Sequence, residues 1–214
     1  MDKDIYIIRH GETDYNNKRL VQGSGIDSDL NETGVMQAKA FFHHYQEVGF
    51  DKIYTSKLKR THQSVRSFID ESLPWQQLEG LNEISWGHKE GRPLTSKDDE
   101  DYANMLIGWR SGDYHRKPKG GESPYEVQER QKKAWKYIMS NEHESKVLVC
   151  MHGRAIRILL CFLLGTELKD MDQFEHKNLC LYHLRYSDGR YEILKRSDVE
   201  HIKKYQALQV RKVG

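Results

Sequence analysis

The sequence has little net charge and no long apolar run. Lysine and arginine together number 34, and aspartate and glutamate 32, which gives a net charge of +2. Nucleic-acid-binding domains usually carry a clear basic excess, so this composition argues against nucleic acid as a partner. The longest apolar run, residues 156–164, is interrupted by Arg157 and is far shorter than the roughly 20 residues of a membrane span. We therefore expect neither nucleic acid nor a membrane among the partners.

Cysteine is also scarce. The three cysteines, Cys150, Cys161 and Cys180, are an odd number, and two of them lie in apolar runs. This pattern favours buried, reduced thiols over a disulfide framework. Residues 1–4 lead directly into an apolar run and lack the longer apolar stretch of a signal peptide. We expect a cytoplasmic protein.

No linker, repeat or low-complexity segment divides the sequence. Its 214 residues are enough for a single α/β domain over 1–214 that needs no disulfide or metal to hold its core. Gly23-Ser24-Gly25 lacks the third glycine and the preceding strand of a dinucleotide-binding loop. The acidic residues show no magnesium-binding spacing either. We therefore predict no cofactor and no metal site.

Two apolar runs end in the same way. Residues 5–8 are followed by Arg9-His10-Gly11, and residues 147–151 are followed by His152-Gly153. Both runs are short, and their composition is typical of buried strands in a parallel sheet. Ligands of open α/β sheets bind outside the carboxyl ends of the strands. The sequence thus places both histidines at the ligand-binding rim of one sheet.

Local signals also predict where helices begin. Asn31 and Ser56 are candidate N-cap residues. Ser123 is followed by Pro124 at the first helical position and by Glu126 at the third, which is the pattern of a capping box.

Four motifs, in this order, resemble those of the histidine phosphatase superfamily, which includes the cofactor-dependent phosphoglycerate mutases. They are Arg9-His10-Gly11-Glu12-Thr13, the run 56–64 with Arg60 at its centre, Leu81-Asn82-Glu83, and His152-Gly153. The resemblance covers roughly residues 4–165. It implies an α/β fold, a three-layer α/β/α sandwich with a mostly parallel central sheet, as in the phosphoglycerate mutases. We further expect a lid-like insertion at about 86–120 and a polar C-terminal tail outside the core at about 198–214.

The resemblance also implies a role for each matching residue. His10 would become phosphorylated, His152 would be its partner, and Glu83 would be the general acid and base. The residues implied to surround the phosphate are Arg9, Asn16, Gln22, Gly23, Arg60 and Gly153. Phosphoryl transfer requires positive charge around the phosphate oxygens, and we expect Arg9, Arg60 and His152 to supply it. These cations would lower the pKa of His10 and keep its nucleophilic nitrogen unprotonated.

We therefore expect a metal-independent phosphomonoesterase that acts on a small phosphorylated metabolite. The first alternative is a phosphoglycerate mutase, which would need cations for a second anionic group. The acidic residues at 98–101 and 113 dilute the basic residues of the lid and argue against it. A phospho-ligand binder without turnover is a further alternative. A cysteine phosphatase is disfavoured because Arg157 lies one position too far from Cys150. The oligomeric state stays open, with a homo-oligomer as one possibility.

Overall fold

The protein is built on one six-stranded sheet, here described from a computed structural model that covers residues 2–213. The strand order is β3-β2-β4-β1-β5-β6. Four neighbouring strands run parallel, and β5 and β6 form an antiparallel hairpin at one edge. The strands are β1 (Lys3–Arg9), β2 (Lys52–Thr55), β3 (Trp75–Gln77), β4 (Lys146–Met151), β5 (Leu181–Ser187) and β6 (Arg190–Asp198).

Helices cover both faces of this sheet. They are α1 (Asp14–Asn17), α2 (Glu32–Tyr45), α3 (Lys59–Ser64), α4 (Arg66–Asp70), α5 (Ser96–Arg110), α6 (Pro124–Met139), α7 (Gly153–Leu164) and α8 (Glu200–Val213). Val127 and Trp135 of α6 and Ile156 of α7 pack on one face, and Phe41 of α2 and Phe68 of α4 pack on the other. The predicted three-layer sandwich is confirmed.

The central strands are apolar throughout because helices cover both of their faces. The five residues 147–151 of β4 are all fully buried, and so are Ile5, Ile7 and Ile8 of β1. Ile7 packs in the core on the α6 and α7 face, whereas Ile8 packs against α2 on the other. This register fixes which way the residues at the strand ends can point.

The predicted helix starts are correct in two cases of three. The Asn31 side chain accepts a hydrogen bond from the Gly34 backbone amide at 2.9 Å, and Ser123 and Glu126 form the expected capping box. The Ser56 prediction is wrong. The helix after β2 begins at Lys59 with Leu58 at its N-cap position, and the Ser56 hydroxyl is a hydrogen-bond partner of His152.

The two segments predicted outside the sheet differ in how they pack. The lid segment, residues 86–120, contains α5, and its side chains Trp86, Met105 and Trp109 join the core. The polar composition of the C-terminal segment predicted a tail outside the core, and this prediction is wrong. The segment forms α8, whose His201 is 1% exposed and packs edge-on against Phe41 of α2. No helix in residues 2–213 is long and apolar enough to cross a membrane.

Candidate active site

Parallel pairing of β1 with β4 brings the two predicted histidines together. Arg9 and Met151 are register partners at the carboxyl ends of these strands, and the His10 amide donates to the Met151 carbonyl at 3.0 Å. The ring centroids of His10 and His152 lie 5.2 Å apart, with the planes tilted by 57°. Both rings are buried. They lie at the same rim of the sheet, as the sequence predicts.

The His10 ring has a defined tautomer. Its Nδ1 donates to the carbonyl oxygen of Gly11 at 2.7 Å, so Nε2 is the nitrogen that carries a free electron pair. Burial lowers the pKa of His10 well below its ordinary value, and the charges of Arg60 and Arg9 lower it further. The imidazole is therefore neutral at physiological pH. A neutral ring with an available Nε2 is the form a nucleophile requires.

Arg60 is fully buried, and three groups orient its guanidinium. Nη1 donates to the Ile26 carbonyl at 2.5 Å, Nη2 to the Gly23 carbonyl at 3.1 Å, and Nε to Nδ1 of His152 at 3.2 Å. Burial lowers the pKa of Arg60 to about 10, so the side chain keeps its charge at pH 7. Gly23 therefore contributes to the site through its carbonyl, which fixes Arg60.

His152 does not supply the positive charge expected of it. Because its Nδ1 accepts from Arg60, its Nε2 carries the hydrogen and donates to the Ser56 hydroxyl at 2.8 Å. Burial, with the charge of Arg60 as a second cause, lowers the pKa of His152 well below its ordinary value. The ring is a neutral link between Arg60 and Ser56. The charge near His10 comes from the two arginines.

Arg9 has one polar atom that is not satisfied. Its Nη1 donates to the His176 carbonyl at 2.6 Å, but its buried Nε has no hydrogen-bond partner among the described residues. Burial lowers the pKa of Arg9. Gly153 permits this packing, because a Cβ there would lie 3.0 Å from the His176 ring and 3.4 Å from the Arg9 Nε.

Glu83 is tied to the first turn of α7. Its Oε1 accepts from the amides of Ile84 and Ala155, both at 2.9 Å, and its Oε2 accepts from the Arg154 amide at 3.1 Å. The His152 side chain makes no capping hydrogen bond, so this carboxylate satisfies helix amides that would otherwise lack a partner. Arg130 fixes the loop before it by donating to the Glu83 carbonyl at 3.0 Å.

Asn16 lies in the short helix α1 and Gln22 in the loop that follows it. Their side chains differ in which polar atoms remain without a partner among the described residues. Gln22 accepts from the Thr13 hydroxyl at 2.9 Å and donates to the Ser28 hydroxyl, so both ends of its amide serve the loop. Asn16 uses its Oδ1 to accept from the Asn178 amide group at 3.0 Å. That contact leaves the amide nitrogen of Asn16 as the end available to a ligand.

Glu90, of the lid segment, joins this loop to the lid. Its Oε2 accepts from the Gly25 amide at 2.8 Å, and its Oε1 accepts from the Trp86 amide at 2.7 Å. A Cβ on Gly23 would lie 2.1 Å from Oε1, so only glycine leaves room for this carboxylate. Burial raises the pKa of Glu90.

Segment 174–179, which no sequence signal predicted, supports the site from the far end of the chain. The Asn178 side chain donates to the His10 carbonyl at 3.1 Å as well as to Asn16. The His176 carbonyl holds Arg9. The His176 ring lies near Arg9 and Arg157. Burial, with the charges of these two arginines as the next causes, lowers the pKa of His176 to about 3. No motif marks these residues, and the hydrogen bond from Asn178 to His10 spans 168 positions.

Comparison with known proteins shows to which family the chain belongs. Residues 5–199 match the family model of the histidine phosphatase superfamily, branch 1. The chain belongs to this superfamily. A Yersinia pestis relative named "Probable phosphoglycerate mutase GpmB" is 30% identical over 188 residues, which cover 86% of each chain.

Solved structures of the superfamily share the fold. The α-ribazole phosphatase of Shigella flexneri superposes with a TM-score of 0.81 at 24% identity, over 92% of this chain and 96% of the other. A mutant phosphoserine phosphatase of Entamoeba histolytica, solved with phosphoserine, gives a TM-score of 0.80 at 24% identity, over 93% and 98%. This superfamily member is thus an enzyme of the phosphatase or mutase type.

Proposed function

We propose that the protein hydrolyses phosphomonoesters through a phosphohistidine at His10. In the first step Nε2 of His10 attacks phosphorus and forms an N–P bond, while the ester P–O bond breaks. The leaving oxygen takes a proton from the Glu83 carboxyl group. In the second step the Glu83 carboxylate accepts a proton from water, the water oxygen bonds to phosphorus, and the N–P bond breaks to release inorganic phosphate. Side-chain cations supply the charge stabilisation, so no metal ion is needed.

The observation that carries this proposal is the state of His10. Its Nδ1 hydrogen bond to Gly11 leaves the Nε2 electron pair available, and two arginines flank the ring. His10 follows β1, and Glu83 accepts hydrogen bonds from the first turn of α7, the helix that follows the neighbouring strand β4. An arginine guanidinium can bind two phosphate oxygens at once, and both Arg9 and Arg60 lie close enough to His10 to lower its pKa.

Turnover of p-nitrophenyl phosphate in EDTA tests the proposal. His10→Ala should abolish it, and the matched control His143→Ala, an exposed histidine, should leave it unchanged. A labelled donor should place acid-labile phosphate on His10. Undiminished turnover by His10→Ala, or label on another side chain, would overturn the mechanism.

The mutase is the second candidate, and the name of the Yersinia pestis relative favours it. A mutase must also hold a second anionic group. Two of the three lid arginines are already paired: Arg92 binds Asp98 through two contacts of 2.8 and 2.9 Å, and Arg110 lies 3.1 Å from Asp172. This pairing supports the phosphatase. Conversion of 3-phosphoglycerate to 2-phosphoglycerate after bisphosphoglycerate priming would instead establish the mutase.

A non-catalytic binder is the third candidate. Phosphate bound without release from any ester, and without label on His10, would establish it in place of the enzyme.

A further inference from the structure

A cavity of about 180 Å³ lies between the loop after β1 and the lid segment. Its lining residues are Val21, Gln22, Trp86, Lys89, Leu94 and Tyr102. None of these residues takes part in the phosphoryl-transfer steps above.

Two of the residues that line the cavity are linked to Glu83. Trp86 follows Glu83 by three positions, and the Tyr102 hydroxyl accepts from the Arg154 guanidinium at 3.2 Å. The backbone amide of the same Arg154 donates to Glu83. A general acid must lie beside the oxygen it protonates, so the group attached to that oxygen would begin next to Glu83, the residue to which the cavity wall is linked.

The walls of the cavity are mainly apolar. Trp86 and Tyr102 meet edge to face, with ring centroids 5.5 Å apart, and Val21 and Leu94 complete the apolar surface. Its two other polar side chains already have partners. The Gln22 amide is held by Thr13 and Ser28, and the Lys89 ammonium donates one of its three hydrogens to the Asp98 carbonyl at 2.9 Å. A hydroxyl placed against the apolar wall formed by Val21, Trp86 and Leu94 would lose its hydrogen bonds to water without compensation.

The size of the cavity limits what can enter. A cavity of about 150 Å³ lined by apolar side chains is known to hold one benzene molecule. About 180 Å³ therefore accommodates one six-membered ring or a branched aliphatic group of similar size, and a second fused ring would extend beyond its walls.

We propose that this cavity is the leaving-group subsite and that it selects phosphomonoesters of alcohols carrying a single aromatic ring or a compact branched alkyl group. This inference rests on the proposed phosphatase function and adds its substrate class. Polyhydroxylated leaving groups, such as sugars and glycerate, are the poorer substrates.

The test compares esters of primary alcohols, so that differences in leaving-group chemistry stay small. For the unmodified enzyme, kcat/KM for benzyl phosphate should exceed that for glycerol 1-phosphate and O-phosphoserine by at least about tenfold, or 1.4 kcal/mol. Naphthylmethyl phosphate should fall below benzyl phosphate. Leu94→Ser should lower the ratio of kcat/KM for benzyl phosphate to kcat/KM for glycerol 1-phosphate severalfold. Ile107→Ser, on the exposed side of the lid helix α5, is the control and should leave this ratio unchanged.

A binding measurement separates this inference from the mechanism. Calorimetry should find benzylphosphonate, which cannot be hydrolysed, bound at least about tenfold tighter than methylphosphonate. Equal binding of the two phosphonates would overturn the proposed subsite without contradicting the phosphatase function. Equal kcat/KM for benzyl phosphate, glycerol 1-phosphate and O-phosphoserine would do the same. Tighter binding of benzylphosphonate with no hydrolysis of any ester would support the subsite and reject the proposed function.

Discussion

Glu83→Gln separates the observed contact of one carboxylate with the first turn of α7 from its proposed role as general acid and base. Glutamine keeps one oxygen, which can still accept from the amides of Ile84 and Ala155. Its NH2 group then faces the Arg154 amide, where Oε2 accepts at 3.1 Å in the native protein. A hydrogen bond to a charged group is worth about 1.5–3 kcal/mol, and the lost charge at the helix N-terminus about 0.3–1 kcal/mol. Relief of the buried charge offsets part of this loss.

We therefore expect Glu83→Gln to lower the free energy of unfolding by about 2 kcal/mol and the Tm by roughly 4–8 °C. Urea and thermal unfolding measure both values. Glu79→Gln makes the same chemical change at an exposed position, where Glu79 lies 3.4 Å from Lys57, and should shift the free energy of unfolding by less than about 0.5 kcal/mol. An unchanged Tm in Glu83→Gln would show that the carboxylate does not cap α7.

The same variant tests the chemistry. Nitrophenolate leaves without needing a proton, so phosphorylation of His10 should continue, whereas activation of water by Glu83 is lost. We expect one equivalent of nitrophenol in a rapid burst, followed by a steady state about 100-fold or more below that of the unmodified enzyme. A steady-state rate equal to that of the unmodified enzyme would refute the acid–base role.

Three further outcomes follow from the site. Asn178→Ala removes the side chain that donates to the His10 carbonyl and to Asn16. We expect kcat/KM for p-nitrophenyl phosphate to fall about tenfold, while a labelled donor still labels His10. An unchanged kcat/KM would contradict this prediction. Gly23→Ala should displace Glu90 and lower kcat/KM by as much as about 100-fold. Full activity would show that the Glu90 carboxylate can move away from the new methyl group without loss of function. His152 and His201 are buried with lowered pKa values, about 4 for His201, whereas the unfolded chain binds protons near pH 6.5. Stability should therefore be fully present above about pH 6.5 and fall by up to about 1.4 kcal/mol per pH unit for each histidine toward pH 4, and urea midpoints independent of pH across that range would refute the burial argument.

The central part of the fold could be predicted because it depends on local pattern. The run 147–151 is uniformly apolar, as a strand covered on both faces must be, and Ser123 has the capping partner three positions later that defines its helix start. Strand β3, in contrast, is three residues long and begins with the partly exposed Trp75. Such an edge strand has neither alternation nor a continuous apolar run. Helix α8 escaped prediction because its inward face consists of few residues, His201 among them.

The candidate site also contains features that local sequence predicts and features that it does not. His10 and His152 follow predictable strands, so the parallel pairing that joins them could be anticipated. The neutral state of His152 could not, because it depends on the position of Arg60 within hydrogen-bonding distance of Nδ1. Asn178 could not be found either, since its partners are some 160 positions away and it belongs to no motif.

Glu90 connects the loop that carries Gly23 and Gly25 to the cavity lined by Trp86. One oxygen holds the loop that positions Arg60, and the other holds Trp86, which lines the adjoining cavity. Under the proposed function, we therefore expect affinity for the phosphate and fit of the rest of the ester to be coupled through Glu90. Changes that broaden substrate choice at residues 86–91 will be tolerated only where that carboxylate keeps its place, so diversification within the lid should concentrate at Leu94 and beyond.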